Sequence, residues 1–391
     1  MWRLALLHLP SFSMMVAASE RQDTAARYSH SGDCLMKALL LSEYNDLQVT
    51  EMERPIPKAD EVLVEVAACG ICGSDVHGYD GSSGRRIPPI VMGHEAAGVV
   101  AGVGSQVSGL AIGERVTFDS TVYCGECSFC QRGEVNLCDH REVMGVSCGD
   151  YRRAGAFAEY LVVPARIIYR LPEKFSFVEA AMLEAVSVAL HGVAVSAMKG
   201  DEEVLVIGAG MIGLLLLQAA RAAGAARVFV SDVDETRLRL AKELGADATL
   251  CMSGAELIEE MARVTRGRGV DVVLEAVGRE ETIVTAIDCV RKGGTVTLVG
   301  NISPQVALPL QKIVSRQIRL QGSCASAGEY SEAISLIVEG VIKVKPLITA
   351  VAPLEEGSSW FSRLHAREPN LMKIVLDPRM RKEEKNAQVT Q

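Results

Sequence analysis

The chain has 391 residues, 49% of them apolar and 23% charged, the composition of a globular protein large enough for two or three domains. Its net charge of −9, with no run of basic residues, excludes the electrostatic footprint of a nucleic-acid or anionic-membrane binder and favours small-molecule chemistry. Eleven cysteines, four of them crowded between Cys124 and Cys138, read as metal ligands rather than disulfides and predict a reducing compartment.

In chain order, Leu4 to Ala18 are mostly apolar behind Arg3, a faint secretory-leader pattern that His8, Pro10 and the pair Met14 and Met15 interrupt. Residues 1–35 are therefore expected to be a tail, and the protein to be cytoplasmic. Met36 opens the first strand, with Lys37 to Leu41 at its heart. Short β segments then dominate to about Pro164: Glu61 to Val66 alternates, Gly98 to Val103 is apolar with glycines, and Glu114 to Phe118 follows Gly113. An all-β domain with long functional loops is expected over 36–186.

Those loops carry chemistry-bearing residues. Cys69-Gly-Ile-Cys72-Gly-Ser74-Asp75-Val-His77 is followed by Gly93-His94-Glu95. A cysteine and a distant histidine are on their own consistent with core packing. Asp75 and Glu95 change that weighting, because carboxylates beside such residues orient an imidazole or tune a metal. Ser74 and His77 add a hydroxyl and a titratable ring, enough for a proton path.

Next, Cys124-Gly-Glu-Cys127-Ser-Phe-Cys130 and then Cys138 give the spacing C-x2-C-x2-C-x7-C. Four thiolates suit a tetrahedral zinc, and a shell closed by four cysteines leaves no position for substrate, so the site is read as structural. Ferredoxin spacing closes with three residues and a proline, which this loop lacks; unligated cysteines are the other alternative. Within Ala180 to Leu190, Glu184 is the only charge in an apolar helix, and a buried carboxylate requires a partner: a metal, an arginine or solvent. His191, at the end of that helix, reads as packing.

The chain is organised around Val204-Leu-Val-Ile-Gly-Ala-Gly-Met-Ile-Gly213. Apolar residues without alternation predict a strand covered on both faces, and Gly208, Gly210 and Gly213 supply G-x-G-x-x-G at its turn into a helix, Met211 to Ala223. The glycines permit the tight turn, the approach of a pyrophosphate and close helix packing, and free N–H groups at the helix start face the phosphates. A second apolar strand, Arg227 to Ser231, ends at Asp232, where a ribose-binding acid belongs. Strands and helices alternate on through Asp271 to Leu274, Thr295 to Val299 and Ile318 to Gln321, which predicts a doubly wound parallel sheet over 187–325. A helix, Tyr330 to Glu339, and strands near Ile348 and at Lys373 to Leu376 are expected to return to the first domain within 326–391. No apolar run looks long and uninterrupted enough to span a bilayer.

With these motifs together, the chain resembles the zinc-dependent medium-chain alcohol dehydrogenases from Met36 to about Pro378, and within them the polyol branch that includes sorbitol (L-iditol), galactitol-1-phosphate, butanediol and threonine dehydrogenases. The resemblance implies an α/β protein: a GroES-like β domain plus a Rossmann domain, with the active site in the cleft. It implies a catalytic zinc held by Cys72, His94 and Glu95, with Glu184 binding directly or through water, and a structural zinc on Cys124, Cys127, Cys130 and Cys138. NAD is the expected cofactor, held by Gly208, Gly210, Gly213 and Asp232, with Ile212, Arg237, Val277 and Val299 completing the set. Asp234 and Glu235 add negative charge against a 2′-phosphate. Ser74 would take the hydroxyl proton and pass it through the cofactor ribose toward His77.

The implied reaction is oxidation of a secondary alcohol of a polyol or sugar-derived alcohol to a ketone, by a homodimer or homotetramer. Animal-type sorbitol dehydrogenases place a tyrosine and an arginine, which hold the polyol, where this chain has Gly78 and Ala325, leaving extra room. Threonine or butanediol oxidation, an NADPH aldehyde reductase, and a zinc-free binding protein on the same fold are the alternatives.

Overall fold

The computed structural model describes residues 35–380. The leader-like segment and the expected tail lie outside the described residues, apart from Leu35.

Six parallel strands form one sheet, in the order Ala248–Leu250, Arg227–Ser231, Glu203–Ile207, Val270–Glu275, Val290–Leu298 and Arg319–Gly322. Numbered along the chain this is 3-2-1-4-5-6, so the strand order reverses beside Glu203–Ile207, where a crevice opens at the carboxyl ends of the strands. Successive side chains of a strand face opposite ways. Accordingly Val204 and Val206 enter one buried cluster and Leu205 and Ile207 another. Each such burial stabilises by about 1.5–3 kcal/mol, which is why this strand needs no polar alternation. The helix Met211–Ala222 packs Leu214 to Leu217 into the first cluster.

A second, mainly antiparallel sheet has the order Ile168–Arg170, Arg115–Phe118, Glu95–Val103, Glu61–Gly70, Lys373–Asp377 and Ile348–Pro353, with Tyr160–Pro164 also on Glu61–Gly70. The C-terminal strand enters the sheet beside an early strand through the pairs Leu376 with Cys69 and Val375 with Gly70. Glu61–Gly70 and Glu95–Val103 run further than hydrophobic alternation indicated, pairing Cys69 with Ala96 and Gly70 with Glu95. Small residues make that approach feasible, since a side chain on Gly70 would overlap the Glu95 carboxylate. Cys69 and Glu95, expected on loops, are therefore fixed at strand ends.

One further expectation is corrected. Among the described residues, the helical stretch Phe177–Val195 is long and apolar enough to cross a membrane. It is nonetheless a core element, with 67% of its apolar window buried and its second half packed on Met211–Ala222 and Tyr330–Val338.

Candidate metal centres and dinucleotide crevice

Cys72 follows the strand Glu61–Gly70 and caps the short helix Gly73–Tyr79, which places its thiol opposite the start of Glu95–Val103. Ligand atoms of Cys72, His94 and Glu95 all lie within 4.8 Å of one another. Asp75, fully buried behind them, accepts the Cys72 N–H on Oδ2 at 3.2 Å and faces His94 Nδ1 with Oδ1 at 3.3 Å. Burial alone would raise the Asp75 pKa, but His94 and Arg86 outweigh it and hold the carboxyl at about 2. Burial likewise opposes a charge on His94, but Asp75 and then Cys72 outweigh it and raise its pKa. Nδ1 lies within ion-pair reach of Asp75 but makes no well-aligned hydrogen bond, and Nε2 is the nitrogen that would face a metal.

Glu95 is also fully buried; Oε2 pairs with Lys373 Nζ, while Oε1 has no partner. A buried carboxylate oxygen without a hydrogen bond is costly, and a cation satisfies it. Sulfur, nitrogen and oxygen donors on three protein residues match the donor set of a catalytic zinc that keeps its fourth position open. Lys373, 1% exposed, also donates to the Ile71 carbonyl at 3.1 Å. Sequence reasoning passed over this lysine, although a lone cation in Leu371-Met-Lys373-Ile-Val-Leu376 demands a partner as much as Glu184 does.

Glu184 lies outside the 4.8 Å group and accepts a hydrogen bond from Ser120 Oγ at 3.3 Å. Burial raises its pKa first and Glu95 adds to that, with His94 opposing. Ser74 is exposed, and its Oγ accepts from Arg86 Nη2 at 3.1 Å. His77 is exposed, with Nδ1 3.3 Å from Ser82 Oγ. The extra room expected beside Gly78 is taken by the Arg86 side chain: a Cβ at 78 would overlap Arg86 Cγ. His191 does more than pack. Its ring is buried, so both nitrogens need partners: Glu329 Oε1 lies 2.7 Å from Nδ1 and Asn136 Nδ2 3.1 Å from Nε2.

Asp119 sits in the same polar cluster. Burial first, then the negative charges of Glu184 and Glu329, push its carboxyl up to about 7. An unfolded aspartate ionises near pH 3.9, so stability falls as pH rises from there to about 7, where the folded state still holds a proton the unfolded chain has lost. Asp119→Asn removes this loss while keeping an oxygen for the Thr121 N–H, 2.8 Å from Asp119 Oδ1. Urea unfolding should show the variant more stable than the parent at pH 8, by up to about 4 kcal/mol, and equal to it below pH 4.

The second cluster is formed by Cys124, Cys127, Cys130 and Cys138. Sulfurs of Cys124 and Cys130 are 3.9 Å apart, those of Cys127 and Cys130 3.5 Å, and those of Cys124 and Cys138 3.5 Å. These are not disulfide distances, and four zinc–sulfur bonds of about 2.3 Å at tetrahedral angles separate sulfurs by about 3.8 Å. Backbone N–H groups of Cys124 and His140 point at Cys138 Sγ, at 3.3 and 3.4 Å. Others, from Cys130 and Asp139, hold the Cys127 thiol well below the ordinary thiol range. A thiolate is thus favoured at Cys127, whereas burial and the neighbouring thiols push Cys130 up to about 12, so a metal would have to displace the Cys130 proton.

At the head of the parallel sheet, Gly208 has φ +98°, which only glycine adopts without strain, and a Cβ at 213 would collide with the Gly208 carbonyl oxygen. Asp232 accepts the Ala209 N–H at 2.6 Å and the Asp234 N–H at 2.9 Å, so the acid is locked to the glycine turn. Asp234 caps the next helix, accepting from Thr236 and Arg237, and Arg237 itself is exposed. Glu275, fully buried, accepts N–H groups of Val277 and Gly278 at 3.0 and 2.9 Å, which fixes Val277 against Gly208. Val299 follows Val290–Leu298 on the same side of the sheet, and Ile212 lies in the first turn of Met211–Ala222.

Family comparison agrees with this geometry. Residues 58–173 match the alcohol dehydrogenase GroES-like domain, and 212–339 match the zinc-binding dehydrogenase domain. Sorbitol dehydrogenase of Bacillus subtilis (strain 168) is 31% identical over 347 residues, 88% of this chain and 97% of that one. D-xylulose reductase A of Aspergillus oryzae is 35% identical, covering 80% of this chain and 90% of its own. Among solved structures, a zinc-binding dehydrogenase from Sinorhizobium meliloti 1021 bound to NADP superposes with a TM-score of 0.80 at 34% identity, over 88% of this chain and 100% of that one.

Proposed function

Because the chain belongs to the zinc-binding alcohol dehydrogenases with a GroES-like domain, and is an oxidoreductase of that family, we propose that it converts a secondary hydroxyl of a polyol or sugar-derived alcohol to a ketone, reversibly, with NAD. The observation that carries this reading is the group of half-buried Cys72 with buried His94 and Glu95, one Glu95 oxygen being unpartnered. When bound, zinc supplies Lewis acidity toward an alcohol oxygen, and the nicotinamide accepts the hydride.

The chain's own residues do the rest. Cys72, His94 and Glu95 would hold the cation, Asp75 lies against both Cys72 and His94, and Lys373 balances the Glu95 charge. Ser74 receives the hydroxyl proton and passes it toward His77, whose exposed ring delivers it to water. Glu184, anchored by Ser120, would act on the cation through a water molecule. Similarity to enzymes of sorbitol and xylulose supports a polyol, although Gly78 and Ala325 lack the side chains expected to grip sorbitol itself. We also place the protein in a reducing compartment such as the cytoplasm, working as a homo-oligomer; the ten described cysteines, all free thiols, support the former.

Asp232 supports NAD over NADP. It stands where a ribose 2′-hydroxyl is accepted, and with Asp234 and Glu235 it sets negative charge against a 2′-phosphate. NAD should exceed NADP about 100-fold in kcat/KM, and Asp232→Ser should erase most of that ratio. Sorbitol, xylitol, galactitol 1-phosphate, butanediol, threonine, ethanol and benzyl alcohol, each assayed by NAD reduction, complete the test. Ethanol or benzyl alcohol as the best substrate would overturn the polyol reading; equal efficiency with NADP would overturn the cofactor assignment.

A further inference from the structure

Arg86 is a buried cation for which the chemistry above has no use. It is 5% exposed; Nη2 donates to Ser74 Oγ at 3.1 Å and to Asp75 Oδ1 at 3.3 Å, and Nε is buried without a partner. The segment that carries it is pinned, the Ile87 N–H donating to the Ser147 carbonyl and the Ser147 N–H to the Arg85 carbonyl, each at 3.3 Å. Its stem lies across Gly78, where a Cβ would overlap Arg86 Cγ and fall 2.9 Å from Arg86 Cβ. Because Asp75 already balances the guanidinium charge, the arginine is poorly placed to serve as a seat for an anionic substrate.

Its contact with Ser74 has a directional effect. A serine oxygen has two lone pairs and one hydrogen. The guanidinium engages one lone pair, so the hydrogen points away from Arg86 and the second lone pair stays open to accept a proton. We infer that Gly78 and Arg86 act as a pair: glycine admits the arginine side chain, and the arginine positions the Ser74 hydroxyl for the proton transfer. This rests on Ser74 being the proton acceptor of the reaction proposed above, and it makes Arg86 a positioning residue.

The test uses the full-length, zinc-loaded protein and five variants: Arg86→Met, Arg86→Lys, Arg86→Ala, Gly78→Ala and the double variant Gly78→Ala/Arg86→Ala. Arg86→Met should lower kcat about 10- to 100-fold with KM for NAD and zinc content unchanged, part of what a general acid–base group contributes. Arg86→Lys should recover part of the loss, since an ammonium reaches one of the two partners. Gly78→Ala should lower both kcat and Tm in the parent and cost clearly less of each in the Arg86→Ala background, where the overlapping Cγ is gone. Unchanged kcat in Arg86→Met overturns the inference, as does loss of zinc in step with kcat, which would make Arg86 a support for the ligands. Equal Tm losses from Gly78→Ala in both backgrounds overturn the pairing. Should the parent oxidise no polyol, the functional reading fails, and the Tm comparison alone decides whether the two residues are coupled.

Discussion

Cys72→Ser should give a folded protein that keeps one zinc per chain and reduces NAD at least about 10³-fold more slowly with any alcohol, a loss of about 4 kcal/mol or more in transition-state stabilisation. The thiol is one of three donors gathered within 4.8 Å, and its removal leaves His94 and Glu95 as a weak pair already engaged by Asp75 and Lys373. Little of the fold depends on it: Cys72 caps the helix Gly73–Tyr79, a role serine also fills, and its N–H donates to Asp75. Metal analysis, circular dichroism and a polyol assay on the same preparation separate the outcomes. Two zincs with undiminished turnover would remove Cys72 from the metal site altogether.

Cys127→Ser should act on stability instead. A four-cysteine zinc loop takes its folding free energy from the metal, about 10–16 kcal/mol in isolated zinc-binding peptides, and a three-cysteine remnant keeps only a fraction. The loop also carries Asn136, which donates to the Cys324 carbonyl at 2.8 Å and meets His191 at 3.1 Å. Its collapse would therefore loosen the helix Leu183–Val195 from a distance. Zinc content should fall by one per chain, and the unfolding midpoint should drop with it, while any protein that remains folded keeps its catalytic metal. An unchanged midpoint and two retained zincs would show the four sulfurs to be free thiols; an iron–sulfur absorption band would identify a different metal.

The opening strand–helix–strand of the Rossmann half was legible nearly residue by residue, whereas the edge strand Ala248–Leu250 was not read and Val290–Leu298 begins well before the expected Thr295. Glu203–Ile207, Met211–Ala222 and Arg227–Ser231 lie within a residue of the reading from sequence, because a strand buried on both faces and a glycine turn each leave a local signature. Cys72, His94 and Glu95 were legible as a set only through resemblance to a family, for spacing along the chain does not state that two strand ends meet. What stayed hidden were the long-range polar partners. Lys373 reaches Glu95 across 278 residues, and Arg86 fills the gap left by Gly78 through a contact no periodicity encodes. His191 read as packing because a helix pattern reports which face is buried, not whether a buried ring finds Glu329 and Asn136.

The lysine has a consequence for how the protein comes into being. The six parallel strands from Glu203 to Gly322 are contiguous along the chain, so a growing polypeptide can complete that sheet while its C-terminus is still inside the ribosome. The other sheet cannot close in that order: its strand Glu61–Gly70 waits for Lys373–Asp377, and Lys373 meets Ile71 across 302 residues. Until that last strand docks, Glu95 lacks its cation, Cys69 and Gly70 lack their partners on one edge, and Ile348–Pro353 has no strand to pair with. A ribosome stalled short of residue 373 would hold a nascent chain competent to bind dinucleotide yet slow to retain zinc at Cys72, and exposed to the edge-to-edge association that unpaired strands invite.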